Sequence, residues 1–161
     1  MHLLIVFKKI ENIFIHLKLG KAYMTKHVGK CGCGNIEYSF EGDPINTAFC
    51  YCHECQKHTG SDKWFGVWVP TDRFEFTKGK PSTYTRKGDS GEDMHHKFCS
   101  KCGSTLAIDV TVGNFYSVAA STLSECKFTP AMAIYTKSAP EWAVFPAGVP
   151  KFDILPPGMG E

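Results

Sequence analysis

The sequence predicts an all-β domain of antiparallel sheets stapled by metal. Two observations carry this. From Gly29 onward the chain is a series of short runs, several alternating with a period of two, divided by turn residues, as in strands joined by hairpins. Cysteines recur in tight groups whose spacing is that of metal ligands.

The elements follow in order. "GNIEYSFEG" alternates Ile36, Tyr38 and Phe40. "KWFGVWVP" is aromatic and β-branched and stops at Pro70. "RFEFTKGKPSTYTRKG" alternates Phe74 and Phe76 and then turns at Lys78-Gly79-Lys80-Pro81, which reads as a hairpin. His95 and His96 fall on a further strand and therefore point to opposite faces. "STLAIDVT" and "NFYSVAAST" flank a Val112-Gly113-Asn114 turn. Helical turns are expected only at 53–60 and 130–136, so the core has few or no long helices. The tail "PEWAVFPAGVPKFDILPPGMGE" is rich in Pro and Gly and is expected to wrap the domain irregularly, anchored by Trp142, Phe145 and Phe152.

No repeat, linker or low-complexity segment divides residues 25–161, which read as a single domain; the full 161 residues suit one ordinary core. Residues 1–24 read as an extension. Within it Leu3, Phe7, Ile10, Phe14 and Leu17 have helical spacing and predict an amphipathic helix. The extension lacks the basic start and cleavage site of a secretory signal, has no Arg, and carries Glu11, unlike a transit peptide. A cytoplasmic location is expected. No apolar run approaches the ~20 residues of a membrane span. The net charge is +2 with scattered basic residues, which argues against a nucleic-acid partner. Nothing in the sequence sets an oligomeric state.

The eight cysteines are 31, 33, 50, 52, 55, 99, 102 and 126. Without a secretory signal, disulfides are disfavoured, and seven of the eight sit in C-x-C or C-x-x-C groups. Cys31 and Cys33 in "KCGCGN", with Cys99 and Cys102 in "KFCSKCGS", make a closed four-thiolate zinc site of structural type. Such a site contributes ~10–16 kcal/mol, comparable with a whole domain's stability of ~5–15 kcal/mol. Cys50, Cys52 and Cys55 in "FCYCHECQKHTG" are left as three ligands with an open fourth position, the pattern of a catalytic zinc. Three thiolates around a divalent ion leave a net charge of about −1, and the soft site suits a substrate thiol. In the other division, Cys50 is a small buried hydrophobe and Cys52 and Cys55 join Cys31 and Cys33. His53, His58, His95 and His96 are each candidate fourth ligands, although a lone histidine is more often a surface or hydrogen-bonded core residue. Cys126 stands alone in "SECKF" as a bystander.

In order and spacing, "GKCGCGNIEYSFEGDP", "FCYCHECQKHTGS", "FTKGKPSTYTRKG" and "FCSKCGSTL" resemble the glutathione-dependent formaldehyde-activating family, which includes centromere protein V-like proteins. The resemblance runs from about Val28 to Pro157. It implies a zinc-holding fold of the β-tent kind with two zinc ions, a structural one on Cys31, Cys33, Cys99 and Cys102 and a catalytic one on Cys50, Cys52 and Cys55. It implies carbon–sulfur lyase chemistry that forms or splits S-hydroxymethylglutathione, with a small-molecule thiol (glutathione or similar) and an aldehyde as partners. Gln56 stands where many relatives have Arg, and Ser124 where many have Asp; with the short loop between Asp109 and Asn114, each bears on the substrate pocket. Candidate proton donors to the new alkoxide are His53, Glu54 and His58. Candidate partners for the glutathione carboxylates are Lys57, Lys63, Arg73 and Arg86.

Two other classes compete. A zinc-stapled interaction module performs no chemistry and needs no exposed fourth position at Cys50–Cys55. A thiol redox repair domain needs a separate reactive cysteine, and Cys126 has no activating cluster around it.

The ligands and alternating runs begin only after Met24, so a chain starting there should melt as the full chain does. A thermal denaturation midpoint several degrees lower would show instead that the extension packs on the core.

Overall fold

The computed structural model describes residues 24–159. The amphipathic helix expected between Leu3 and Leu17 lies outside them. Among the described residues ten strands form two sheets. β1 (Lys26–Lys30), β2 (Glu37–Glu41) and β5 (Phe74–Lys78) make an antiparallel sheet in the order β1-β2-β5. β3 (Asn46–Cys50), β4 (Trp64–Pro70), β6 (Ser82–Lys87), β7 (Asp93–Phe98), β8 (Thr105–Val110), β9 (Phe115–Ala119) and β10 (Met132–Ile134) make a second sheet in the order β10-β3-β4-β9-β8-β7-β6. All of its pairs are antiparallel except β10 with β3. Among the described residues there is one α-helix, α1 (His53–Thr59), at the place the sequence predicts. The all-β expectation holds.

The two faces of the large sheet do different work, because side chains alternate along each strand. On one face Val67, Val69, Ala107 and Val118 are fully buried and pack against Ile36, Tyr38, Phe40 and Phe74 of the small sheet and its turn. This is a two-layer core. On the other face the register sets Cys50 opposite Trp64, Trp68 opposite Ser117, His96 opposite Ile108, and Arg86 opposite Met94. All eight of these side chains belong to one face, and all of them but His96 line a cleft.

Gly66 lies on that face. A Cβ there would sit 2.2 Å from Ser117 Oγ and 2.9 Å from Trp64 Nε1. The bare backbone lets the Trp64 indole N–H cross over it and donate to Ser117 Oγ at 3.0 Å.

Three local expectations are corrected. The turn at 78–81 does not close a hairpin: β5 pairs with β2 and β6 pairs with β7, so the chain changes sheets there. A Gly-Pro turn permits either course, and pairing with a distant strand decides it. Residues 130–136 are not helical. Met132–Ile134 form β10, buried along its whole length beside β3, and a short 3-10 turn follows at Thr136–Ser138. The free edge of β3 overrides the local preference of Ala and Met for helix. Trp142 does not anchor the tail, being 68% exposed. Phe145, 4.8 Å from the Tyr51 ring, and Phe152, packed on Met132 and Ile134, hold it instead.

Replacing Gly66 by Ala should cost about 1–3 kcal/mol, as overpacking does, and should move the Trp64 indole off Ser117. Urea unfolding read by tryptophan fluorescence checks both. An unchanged midpoint would show that the indole does not need this gap.

Candidate metal centres and active site

Two turns bring four sulfurs together. Cys31 and Cys33 lie in the turn after β1, and Cys99 and Cys102 in the turn after β7. Each turn doubles back on a glycine with a left-handed backbone, Gly34 at φ 69° and Gly103 at φ 76°, a conformation that glycine adopts without steric cost. The Gly34 amide donates to Cys31 O at 3.0 Å and the Gly103 amide to Cys99 O at 2.8 Å. All four Sγ atoms lie within 4.8 Å of one another, with Cys31–Cys33 at 3.6 Å and Cys33–Cys99 at 3.8 Å. A tetrahedron with Zn–S bonds of about 2.3 Å has edges of about 3.8 Å, so the group fits a zinc ion. The Ile36 amide also points at Cys31 Sγ, 3.3 Å away. None of the four cysteines lines the cleft.

A second group stands at the start of α1. Cys50 ends β3, Cys52 is the N-cap of α1, and Cys55 lies in its first turn. The Cys55 amide donates to Cys52 Sγ at 3.3 Å, so the sulfur takes the place of a capping oxygen. These three Sγ atoms also lie within 4.8 Å of one another. They form part of the wall of a cleft of about 890 Å³. Crowding makes the thiols unequal. Cys52 is pulled down to about 2, first by the Cys50 thiol that donates to it and then by Cys55. Cys50 is pushed up to about 12 by the same sharing with Cys52, and Cys55 is pushed up by both neighbours. Alone, the group accommodates one negative charge. A divalent cation lets all three ionise, which is the chemical fit of this donor set to zinc.

The sequence profile of the glutathione-dependent formaldehyde-activating enzyme family matches residues 26–138. The chain belongs to this family. Among solved structures, the crystal structure of a Rhodobacter sphaeroides protein has the same fold at a TM-score of 0.50 and 18% identity, over 64% of this chain and 91% of that one. A search of curated proteins finds no match.

In this family member the cysteines are grouped as 31, 33, 99, 102 and as 50, 52, 55; Cys52 and Cys55 do not join Cys31 and Cys33. No histidine joins either group among the described residues. His53 lines the cleft. His58 stacks on His96 at 4.0 Å between centroids and does not line it. His95 is tied to Thr85 Oγ1 at 2.8 Å, while His96 is buried, so the two do take opposite faces. Cys126 is exposed and apart from both groups.

Of the four cations expected to meet glutathione, three do not line the cleft. Lys57 pairs with Glu54 at 2.7 Å, Lys63 with Asp62 at 2.5 Å, and Arg73 donates to Asp43 O at 3.1 Å. Arg86 lines the cleft. Gln56 does not line it. Its amide donates to Tyr51 O at 2.7 Å and Ser138 O at 2.9 Å, latching α1 to the segment after β10. Ser124 is also remote, its amide donating to Val28 O at 2.9 Å. The loop between Asp109 and Asn114 does bear on the cleft, through Val110, Val112 and Gly113.

Sequence reasoning misses Tyr135 and Lys137, which also line the cleft. Tyr135 has a left-handed backbone at φ 55°, and its hydroxyl donates to Asp89 Oδ2 at 2.8 Å. Burial pushes its phenol above the usual range, so it stays protonated. No local motif marks it: its partner is 46 residues away.

Cys99→Ser should be insoluble or largely unfolded, because it takes a ligand from a group that joins distant turns. Cys52→Ser should keep the fold, since serine also caps a helix, and should carry about one zinc ion per chain where the wild type carries about two. Zinc content and circular dichroism melts decide. Equal loss of fold in both would show that the two groups are alike.

Proposed function

We propose that this protein is a zinc-dependent carbon–sulfur lyase that forms or splits an aldehyde–thiol adduct, in the manner of S-(hydroxymethyl)glutathione synthesis. One observation carries the reading: three sulfurs converge on the wall of a large cleft, whereas the four-sulfur group stands away from it. The four-sulfur group is accordingly structural, and Cys50, Cys52 and Cys55 serve the reaction. Residues 25–161 form the working domain and 1–24 an extension to it. Free thiol substrates suit a reducing compartment such as the cytoplasm. Among the described residues no helix is long and apolar enough to cross a membrane.

A zinc ion on Cys50, Cys52 and Cys55 supplies, when bound, the positive charge that keeps a coordinating thiol ionised at neutral pH. The chain's own residues do the rest. The cleft, at about 890 Å³, lies in the range of small-molecule sites. Trp64, Trp68, Met94 and Ile108 give it an apolar floor that keeps water from the reacting carbon. In synthesis the sulfur–carbon bond forms and the thiol proton ends on the former carbonyl oxygen; cleavage reverses both. That proton needs a carrier. Of the three expected donors, His58 does not line the cleft, and the Glu54 carboxyl is held below the usual range by its bond from Lys57. His53, beside Cys52 on the cleft wall, is the remaining carrier.

Zinc-loaded protein should speed the interconversion of a small aldehyde, a thiol and their hemithioacetal. NMR exchange spectroscopy measures the rate directly. No gain over buffer with any of several thiols would overturn the lyase reading and leave a zinc-stapled interaction module.

A further inference from the structure

Arg86 lies on β6, the edge strand of the large sheet, and faces the cleft. Its side chain is fixed at two points. Nε donates to His96 Nε2 at 3.2 Å, and Nη1 donates to Lys87 O at 2.9 Å. Neither acceptor is a carboxylate, and among the described residues Arg86 forms no ion pair. Four carboxylates line the same cleft, those of Glu54, Asp89, Glu92 and Asp93. Three have other partners: Glu54 pairs with Lys57, Asp93 with Lys87, and Asp89 accepts from Tyr135. The guanidinium is thus oriented by neutral groups and keeps its charge for something else.

His96 is unusual for what it costs. It is 1% exposed, and because Nε2 accepts from Arg86, its proton sits on Nδ1. That Nδ1 is buried with no partner. An unsatisfied buried polar atom destabilises a fold, and stacking on His58 asks only for a flat ring. The acceptor at Nε2 is what an imidazole provides here and a phenyl ring would not. Arg86 lies opposite Met94 and Tyr84 opposite His96, so Arg86 and His96 share the cleft face as diagonal neighbours.

We infer that Arg86 is the anchor for a carboxylate of the thiol substrate, and that His96 is the positioning residue that aims it. The planar guanidinium fork matches a carboxylate better than any other side chain. The inference rests on the lyase reading for the identity of the ligand, and its test reads binding as well as rate.

The probes are glutathione, which has two carboxylates, and N-acetylcysteamine, a thiol with none. Calorimetric titration of the zinc-loaded full chain gives an affinity ratio for the pair. Arg86→Gln should lower the ratio of glutathione to N-acetylcysteamine affinity roughly tenfold or more, the usual effect of losing a charge-assisted hydrogen bond. His96→Leu should lower it likewise, and His96→Gln, which keeps an acceptor near Nε2, should restore it. In kinetics the loss should appear in KM for glutathione and not in kcat. Equal weakening of both thiols, or of neither, overturns the anchor. Should His96→Leu not fold, Arg86→Gln on the edge strand still decides. Hemithioacetal exchange on the same samples separates the two readings. A lost ratio without any acceleration keeps the anchor and rejects the lyase, and acceleration with an intact ratio does the reverse. A wild-type chain that binds neither thiol rejects both.

Discussion

The meeting of Cys31, Cys33, Cys99 and Cys102 sets a turn of the small sheet against a turn of the large one. The strands it joins have little else to hold them. β1 buries only Gly29 of its five residues, and β7 only His96 of its six. Neither strand gains much from the hydrophobic effect, which scales with the apolar area removed from water. Each depends on its hydrogen-bonded ladder and on the turn at its end or its neighbour's end. An ion bound at this junction would contribute on the order of 10 kcal/mol, enough to decide whether a domain of ordinary stability folds. The two glycine turns aim pairs of sulfurs inward, so that four thiols meet at the distances a tetrahedral ion requires.

The large sheet has one face committed to the core and one turned to the cleft. Alternation then sorts the residues without further instruction. Val67, Val69 and Val118 go inward, while Trp64, Trp68 and Ser117 go to the cleft. The same rule places Arg86 and His96 beside each other on the cleft face and sends His95 to the opposite side. A slip of one residue in any of these strands would exchange core and cleft side chains. The register therefore sets both the core and the lining of the cleft.

Helix α1 serves the cysteine group rather than the core. Its first turn carries Cys55, its cap is Cys52, and the strand before it ends at Cys50, so a short stretch of chain sets all three sulfurs. Gln56 then ties the helix to the segment after β10, and β10 is itself fixed on the edge of β3. The position of the cysteines thus depends on a parallel strand pair formed from residues more than 80 positions apart, as with Met132 and Ala48. Tyr135, one residue beyond β10, is brought to the cleft by the same pairing.

Much of this was legible in the sequence, for a definite reason. Metal ligands within a turn are two or three residues apart, so spacing reveals them. Period-two alternation marks strands such as β2 and β5 because burial on one face leaves a local trace. The family motifs add the grouping of Cys31 and Cys33 with Cys99 and Cys102. What the sequence left open depends on which distant edge a segment finds. The turn at Gly79-Lys80-Pro81 allows a hairpin or a change of sheet, and only the pairing of β6 with β7 chooses. "AMAI" suits helix or strand, and the free edge of β3 makes it β10. Arg86 and His96 are ten residues apart in sequence and meet only through that strand register, and Asp89 meets Tyr135 only across the fold. Hydrogen bonds and edge pairings at such separations leave no local periodicity, so the tertiary structure alone decided which polar residues the cleft contains.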